Sequence, residues 1–288
     1  MKHVLVTGAK GQLGREIKKL RNYFRQIYDF TDIDELDVTD NEAIRSYLAS
    51  NRTDYIINCA AYTDVDGAES EPEKAMKLNR DALKYFKESL EPYPDTKIIH
   101  ISTDYIFRGD IMRPLREDDP ADPVSTYGKT KLEGEKLLWD HPSALIIRTS
   151  WLFSVFGKNF VKNMINRMDR YDDLNVVYDQ IGTPTYAEDL ARAIMQIISD
   201  IESGQSEFVP GIFHFSNEGV CSWYDLAMEA CILNHCKGRV FPIETADYPL
   251  PAKRPFYSVL NKSKIKEVYG VEVPYWRYSL EKCIKNLL

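Results

Sequence analysis

The 288-residue chain predicts an α/β fold: a doubly wound parallel sheet followed by a smaller, irregular α/β lobe. Three observations carry this. Short apolar runs rich in β-branched residues alternate with longer segments of helical period, which implies parallel strands covered on both faces. A glycine-rich turn joins the first run to the first helix. After about Ser150 the alternation loosens and proline becomes frequent.

Taken in order, "HVLVTG" reads as a strand and Gln12 to Asn22 as a helix. "QIYDFTD" is the second strand, with a helix from Asn41 to Ser50 behind it. "DYIINCA" is the third, followed by one long helical pattern from Pro72 to Leu90. "KIIHIST" and "ALIIRTS" are the fourth and fifth, with the helix of "STYGKTKLEGEKLL" between them. Right-handed crossovers make a doubly wound sheet the natural closure of this series. Beyond it lie strand candidates "LNVVYD" and "IFHFS" and the three-proline stretch "YPLPAKRPFY". The expected division is a dinucleotide-binding unit over 1–150, also receiving about 174–200, and a discontinuous second lobe over most of 151–288. There is no internal repeat, low-complexity run or flexible linker.

The net charge of −7, without a basic tract, argues against nucleic acid or an anionic membrane as the main partner. No run approaches the roughly 20 apolar residues that span a bilayer. The strand pattern starts at His3 with no apolar leader before it, and five cysteines without framework spacing fit a reducing, cytoplasmic setting. Cys231, His235 and Cys236 lack a second ligand pair at zinc spacing, and "DVDG" at Asp64 lacks the later ligands of a calcium loop. No metal site is expected.

"VTGAKGQLGREI" sets Gly8, Gly11 and Gly14 between strand and helix, the context of a Rossmann-type dinucleotide turn. Gly8 permits the tight turn, Gly11 lets backbone approach a pyrophosphate, and Gly14 allows close helix–strand packing. The spacing is G-x-x-G-x-x-G. Asp32, at the end of the second strand, suits the adenosine ribose hydroxyls and so NAD, whereas Lys10 suits a 2′-phosphate and so NADP. Asp37 and Val38 are candidates to flank the adenine, or alternatively to cap the helix starting at Asn41.

Tyr127 and Lys131 stand four residues apart, which on a helix places them on one face. A neighbouring cation favours the phenolate and is expected to bring the phenol towards a useful acidity. Thr103 closes the fourth strand, at the end where open α/β sheets bind ligands.

Together these residues resemble the extended short-chain dehydrogenase/reductase family, and within it the dTDP-4-dehydrorhamnose reductases. The resemblance runs nearly end to end, through "GAKGQLGREI", "LDVTD", "NCAAYTDVDGAE", "STDYIF", "YGKTKLEGE", "RTSWLF", "NFVKNMI", "DQIGTPT", "CSWYDLA" and "PAKRPFYSVLN". It implies reduction of a 4-keto-deoxysugar nucleotide by NADPH or NADH. It also implies roles: Thr103 polarises the carbonyl, Tyr127 donates the proton, and Lys131 binds the nicotinamide ribose. Gly11, Gln12 and Leu13 match the dinucleotide turn. Ala60, Ala61 and Tyr62 match the loop lining the cofactor, and Asp104 and Trp151 match substrate-side positions. Arg254, in "PAKRP", is a candidate for the nucleotide diphosphate. Some members dimerise through a metal held by glutamates. Glu16 and Glu188 could match two of these, but the closing "KCIKNLL" has no glutamate, so a metal-bridged dimer is not expected, while a homodimer stays open.

Two rival functions fit the residues less well. A 4,6-dehydratase or epimerase on the same scaffold is disfavoured for the dehydratase because Asp104 and Tyr105 follow Thr103, where an acidic pair is needed. A non-catalytic regulatory subunit is disfavoured because both Tyr127 and Lys131 are present.

Overall fold

The computed structural model describes residues 1–170 and 173–287. Its first half follows the apolar rhythm closely: β1 (His3–Thr7), α1 (Gln12–Leu20), β2 (Ile27–Phe30), α2 (Asn41–Ser50) and β3 (Tyr55–Asn58). A short α3 (Gly67–Ser70) leads to α4 (Pro72–Met76), a π turn over Lys77–Asp81, and α5 (Ala82–Leu90). The helix expected over 72–90 is therefore bulged at its centre. Then come β4 (Lys97–Thr103), α6 (Thr126–Leu138) and β5 (Ala144–Thr149).

The bulge has a local cause. Asn79 is buried and grips the backbone of Tyr62 from both sides, accepting from its N–H at 2.9 Å and donating to its carbonyl at 3.1 Å. Across from it, α6 presents Gly134, where any side chain would strike the Asn79 carbonyl. Bulges of this kind commonly serve a site rather than the core.

The second half holds β6 (Leu152–Phe153), α7 (Phe160–Met168), β7 (Leu174–Val177), β8 (Ile181–Gly182), β9 (Thr185–Tyr186) and α8 (Ala187–Ser203). It continues with β10 (Gly211–His214), β11 (Cys221–Ser222), α9 (Trp223–Leu233), β12 (Val240–Ile243), α10 (Ser263–Tyr269) and α11 (Trp276–Lys285).

Six strands form one parallel sheet in the order β10-β5-β4-β3-β1-β2. Successive residues alternate between its faces, as pleating requires. Val4, Val6, Ile57 and Ile147 pack under α1 and α8, with Ile17, Leu190 and Ile194. Leu5, Ile56, Ile98 and Ile146 pack under α2 and α5, with Ile44, Leu83 and Phe86. The mixed α/β architecture and the doubly wound parallel sheet thus agree with the sequence reading.

The boundary between the lobes differs from the expectation. β7 pairs with β12 and stays outside the central sheet, whereas α8 lies on the sheet and β10 supplies its sixth strand. Segment 174–186 therefore stays with the second lobe, and it is α8 that carries the chain back. The second lobe has its own core, in which Phe153, Ile165, Leu226, Trp276 and Leu280 meet.

Candidate active site

Strand order reverses between β1 and β3, so the loops leaving their carboxyl ends diverge and open a crevice there. The glycine turn occupies one wall. Gly8 has φ +63°, and a Cβ on it would lie 2.7 Å from the Ala60 nitrogen in the loop after β3. A Cβ on Gly14 would lie 2.6 Å from the Ala9 Cα, so only glycine lets α1 start this close to the turn. Gly11 is the N-cap of α1 and makes no side-chain cap bond, which leaves the first-turn N–H groups without a side-chain acceptor. Gly8, Gly11, Gln12 and Leu13 line a cleft of about 510 Å³. This uncapped helix terminus under a glycine cradle fits the pyrophosphate of a dinucleotide.

The opposite wall comes from β4 and α6. Ser125 caps α6 by accepting from the Gly128 N–H at 3.1 Å, and Glu69 accepts from the Thr126 N–H at 2.8 Å. The helix therefore begins at Thr126, which fixes Tyr127 in its first turn and Lys131 one turn later on the same side. Thr103, Asp104, Tyr105, Tyr127 and Lys131 all line the same cleft as the glycine turn. Trp151 lines it as well, with φ +46°, and its indole stacks on that of Trp223 at 3.6 Å.

The electrostatics of these groups are set mainly by burial. The Tyr127 phenol is pushed up to about 12 by burial, against the opposing effect of the Thr103 hydroxyl. Burial draws the Lys131 amine down to about 8, although Glu135 and Cys59 favour its charged form. Lys131 Nζ donates to the Ile101 carbonyl at 2.7 Å and contacts His100 Nε2 at 3.3 Å. The phenol is thus raised, where a lowering by Lys131 is expected from the spacing, because desolvation dominates at Tyr127. Thr103 Oγ1 donates to Asp104 Oδ1 at 3.1 Å and accepts from the Tyr105 N–H at 3.2 Å. Burial pushes the Asp104 carboxyl up to about 7, against hydrogen bonds from Ser258 and Thr103.

The other candidate residues fall partly outside this cleft. Asp32 accepts from the Lys10 N–H at 2.8 Å and the Ile33 N–H at 3.0 Å, so it braces the glycine turn. The Lys10 ammonium pairs with Asp34. Asp37 accepts from the Thr39 N–H and hydroxyl, each at 2.8 Å, and the cap of α2 is Asp40 instead. Val38 is buried beside Leu36 and Ile44. Ala61 lines the cleft, Ala60 backs Gly8, and the Tyr62 hydroxyl turns away to donate to Glu71 at 2.7 Å.

Arg254 belongs to a second cleft of about 1130 Å³ between the lobes, with Arg167, Lys253 and Tyr248. It forms a paired contact with Asp66, at 3.1 and 2.6 Å. Tyr105, Phe160 and Trp223 line both clefts, so the two adjoin. The sequence gives no role to Trp223 and Phe160, although both lie in segments that carry the resemblance, nor to the buried His100. The last had a signal, a lone imidazole inside an otherwise apolar strand run.

Glu16 of α1 and Glu188 of α8 are both buried. Glu16 Oε1 accepts from Ser154 at 2.6 Å. Burial pushes Glu188 up, but Lys19 and Lys282, each at 2.7 Å, outweigh this and hold it at about 2. Ammonium groups thus meet its charge. Among the described residues no helix is long and apolar enough to cross a membrane, and the five cysteines are free thiols.

The family model of the RmlD substrate binding domain matches residues 1–288. The chain is 40% identical to a dTDP-4-dehydrorhamnose reductase of Aggregatibacter actinomycetemcomitans, covering 98% of each chain. It is 39% identical to a probable dTDP-4,6-dihydroxy-2-methyloxan-3-one 4-ketoreductase of Streptomyces antibioticus, covering 99% of this chain and 95% of that one. A crystal structure of dTDP-4-dehydrorhamnose reductase from Bacillus anthracis in complex with NADP superposes with a TM-score of 0.92 at 33% identity, over 99% of this chain and 100% of that one.

Proposed function

The chain belongs to the RmlD substrate binding domain family, and on that premise we propose that it is a dTDP-4-dehydrorhamnose reductase. It reduces the 4-keto group of dTDP-4-dehydro-L-rhamnose to give dTDP-L-rhamnose, with NADPH or NADH as cofactor. What most supports the assignment of roles is one relationship: Thr103, Tyr127 and Lys131 line the same cleft as the uncapped, glycine-cradled start of α1.

When bound, the nicotinamide supplies the hydride. The residues of the chain do the rest. Gly11, Gln12 and Leu13 present the N-terminus of α1 to the pyrophosphate, and Gly8 and Gly14 let the turn pack tightly against the loop after β3 and the start of α1. Lys131 holds the nicotinamide ribose. Negative charge develops on the ketone oxygen as it is reduced, and donors aimed at that oxygen lower the barrier. The hydroxyls of Thr103 and Tyr127 are those donors, and Tyr127 gives up its proton to the new alkoxide. A buried phenol near 12 holds its proton in the resting site, which suits an acid that releases it only when a stronger base forms. Asp104 and Trp151 bound the sugar. The diphosphate and base lie in the adjoining cleft, where Arg254 is already pre-set by Asp66 and Arg167 adds charge. That local basic lining answers a doubly charged substrate despite the net charge of −7.

The test is to follow NADPH and NADH absorbance with dTDP-4-dehydro-L-rhamnose made in situ, beside a panel of other 4-keto sugar nucleotides. Turnover with the rhamnose precursor above all others is expected. No oxidation of either cofactor with any member of the panel would overturn the assignment.

A further inference from the structure

We propose that His100 is a positioning residue that sets the proton state of Lys131, through a chain of hydrogen bonds crossing three strands and having two alternative directions. The proposal rests on the reading of Lys131 given above. Thr7 at the end of β1, Asn58 at the end of β3 and His100 within β4 are register partners, Thr7 opposite Asn58 and Asn58 opposite His100. Side chains opposite one another on a sheet share a face and meet. Here Thr7 Oγ1 lies 2.7 Å from Asn58 Oδ1, Asn58 Nδ2 lies 3.1 Å from His100 Nδ1, and His100 Nε2 lies 3.3 Å from Lys131 Nζ. All four residues are 1% exposed, so each polar atom depends on the next for a partner.

Burial and the adjacent Lys131 charge hold His100 well below its ordinary range, so the ring is neutral and carries one N–H. That single proton couples the chain. With Lys131 as ammonium, Nζ donates to Nε2, the ring proton sits on Nδ1, and Nδ1 donates to the Asn58 amide oxygen. The amide nitrogen then donates to Thr7. With Lys131 neutral, its lone pair accepts from Nε2–H and the bare Nδ1 accepts from Asn58 Nδ2. The amide oxygen then accepts from the Thr7 hydroxyl, the amide orientation seen in this structure. The two arrangements differ by one proton, which solvent takes up, and by the turn of one amide. The bond from Nζ to the Ile101 carbonyl persists in both.

The other groups facing Lys131 are fixed by comparison. Glu135 favours the ammonium from the next turn of α6, yet it is already engaged by Arg148 at 2.8 Å. Cys59 acts from the loop after β3, and its own thiol is pushed up to about 12 by burial. Tyr127, one turn back, keeps its proton. The acceptor that adjusts to the lysine charge is His100.

The experiment uses the full chain with 15N-labelled histidine. As pH is raised through about 8, where burial places Lys131, His100 should stay neutral while its proton moves from Nδ1 to Nε2. In Lys131→Met no such exchange should occur. In parallel, His100→Phe removes the acceptor from the ammonium, and the high-pH limb of kcat should move to lower pH by about one unit, the worth of one hydrogen bond to a charged group. His100→Gln, whose amide oxygen reaches the Nε2 position, should return the limb to the wild-type pH. A ring proton that stays on one nitrogen throughout the range overturns the proposal. So does a limb in His100→Phe that coincides with wild type. If His100→Phe fails to fold, the ring-nitrogen signals and His100→Gln decide alone. A chain that reduces no 4-keto sugar nucleotide sinks the functional reading, and the ring-nitrogen readout still decides this proposal.

Discussion

Glu135 and Arg148 form a bidentate pair, with Arg148 Nε 3.1 Å from both carboxylate oxygens and Nη2 2.8 Å from Oε2, and both residues are fully buried. The pair ties α6 to β5 one turn beyond Lys131. Removing one partner leaves a buried charge without compensation, which costs roughly 3–5 kcal/mol. Glu135→Leu should therefore lower the denaturant midpoint strongly. Glu135→Leu combined with Arg148→Met should recover much of the loss, because the pair is then replaced by apolar volume. Equal losses in the single and double variants would show that the charge is not the issue.

Tyr127→Phe keeps the ring and its edge contact with Tyr105, whose centroid lies 5.8 Å away. It removes only the proposed proton donor. General acids of this kind contribute about 10²–10⁴-fold. The expected result is a drop of that order in kcat, with the Kd for NADPH, read by fluorescence titration, changed less than twofold or so. Retained turnover would remove Tyr127 from its role.

Gly182→Ala tests the seat of Trp151. The added Cβ would fall 2.6 Å from Trp151 Cε2, too close to remain, so the indole must move off its stack on Trp223. Stacked pairs are worth about 0.5–1.5 kcal/mol beyond burial. The KM for the sugar nucleotide should rise several-fold and tryptophan emission should shift, while NADPH binding stays put. An unchanged KM would separate this aromatic pair from the substrate.

Asp104→Asn should alter the pH dependence of stability in a defined direction. In the folded chain burial raises this carboxyl from the usual range to about 7. Between about pH 4 and 7 the native state then binds the extra proton, so this group makes stability fall as pH rises through that window and leaves a constant penalty above it. The difference in unfolding free energy between Asp104→Asn and wild type should grow from about pH 4 to 7 and flatten above. A difference that does not vary with pH would place the native carboxyl in its ordinary range.

The parts of this fold governed by local pattern were legible. β4 and α2 begin and end where the apolar run and the helical period do. The π turn was not, because the groups that meet it, the backbone of Tyr62 and the bare Gly134 of α6, are distant from it in sequence. Nor could the run at 211–214 announce its sheet, since parallel pairing with β5 is decided by where α8 returns the chain. At the site, the glycine turn and the pair Tyr127 and Lys131 are legible because their spacing carries chemistry, and Thr103 because it closes β4. Asp32 was assigned by its strand-end position alone, and the structure gives its carboxylate to the backbone of the glycine turn. The interaction of Lys131 with β4 depends on a partner 31 residues away, which no helical spacing reveals.

The return of α8 and β10 to the sheet after the second lobe has begun bears on how the molecule can be divided. A truncated chain stopping near residue 150 would lack the strand that hydrogen-bonds β5 and the helix that covers Val6, Ile57 and Ile147. Such a fragment would expose an open ladder edge and a wide apolar face together, the combination that drives self-association. The leading half of the sheet therefore cannot be grafted or expressed alone; it has to be taken together with the interior segment 187–214.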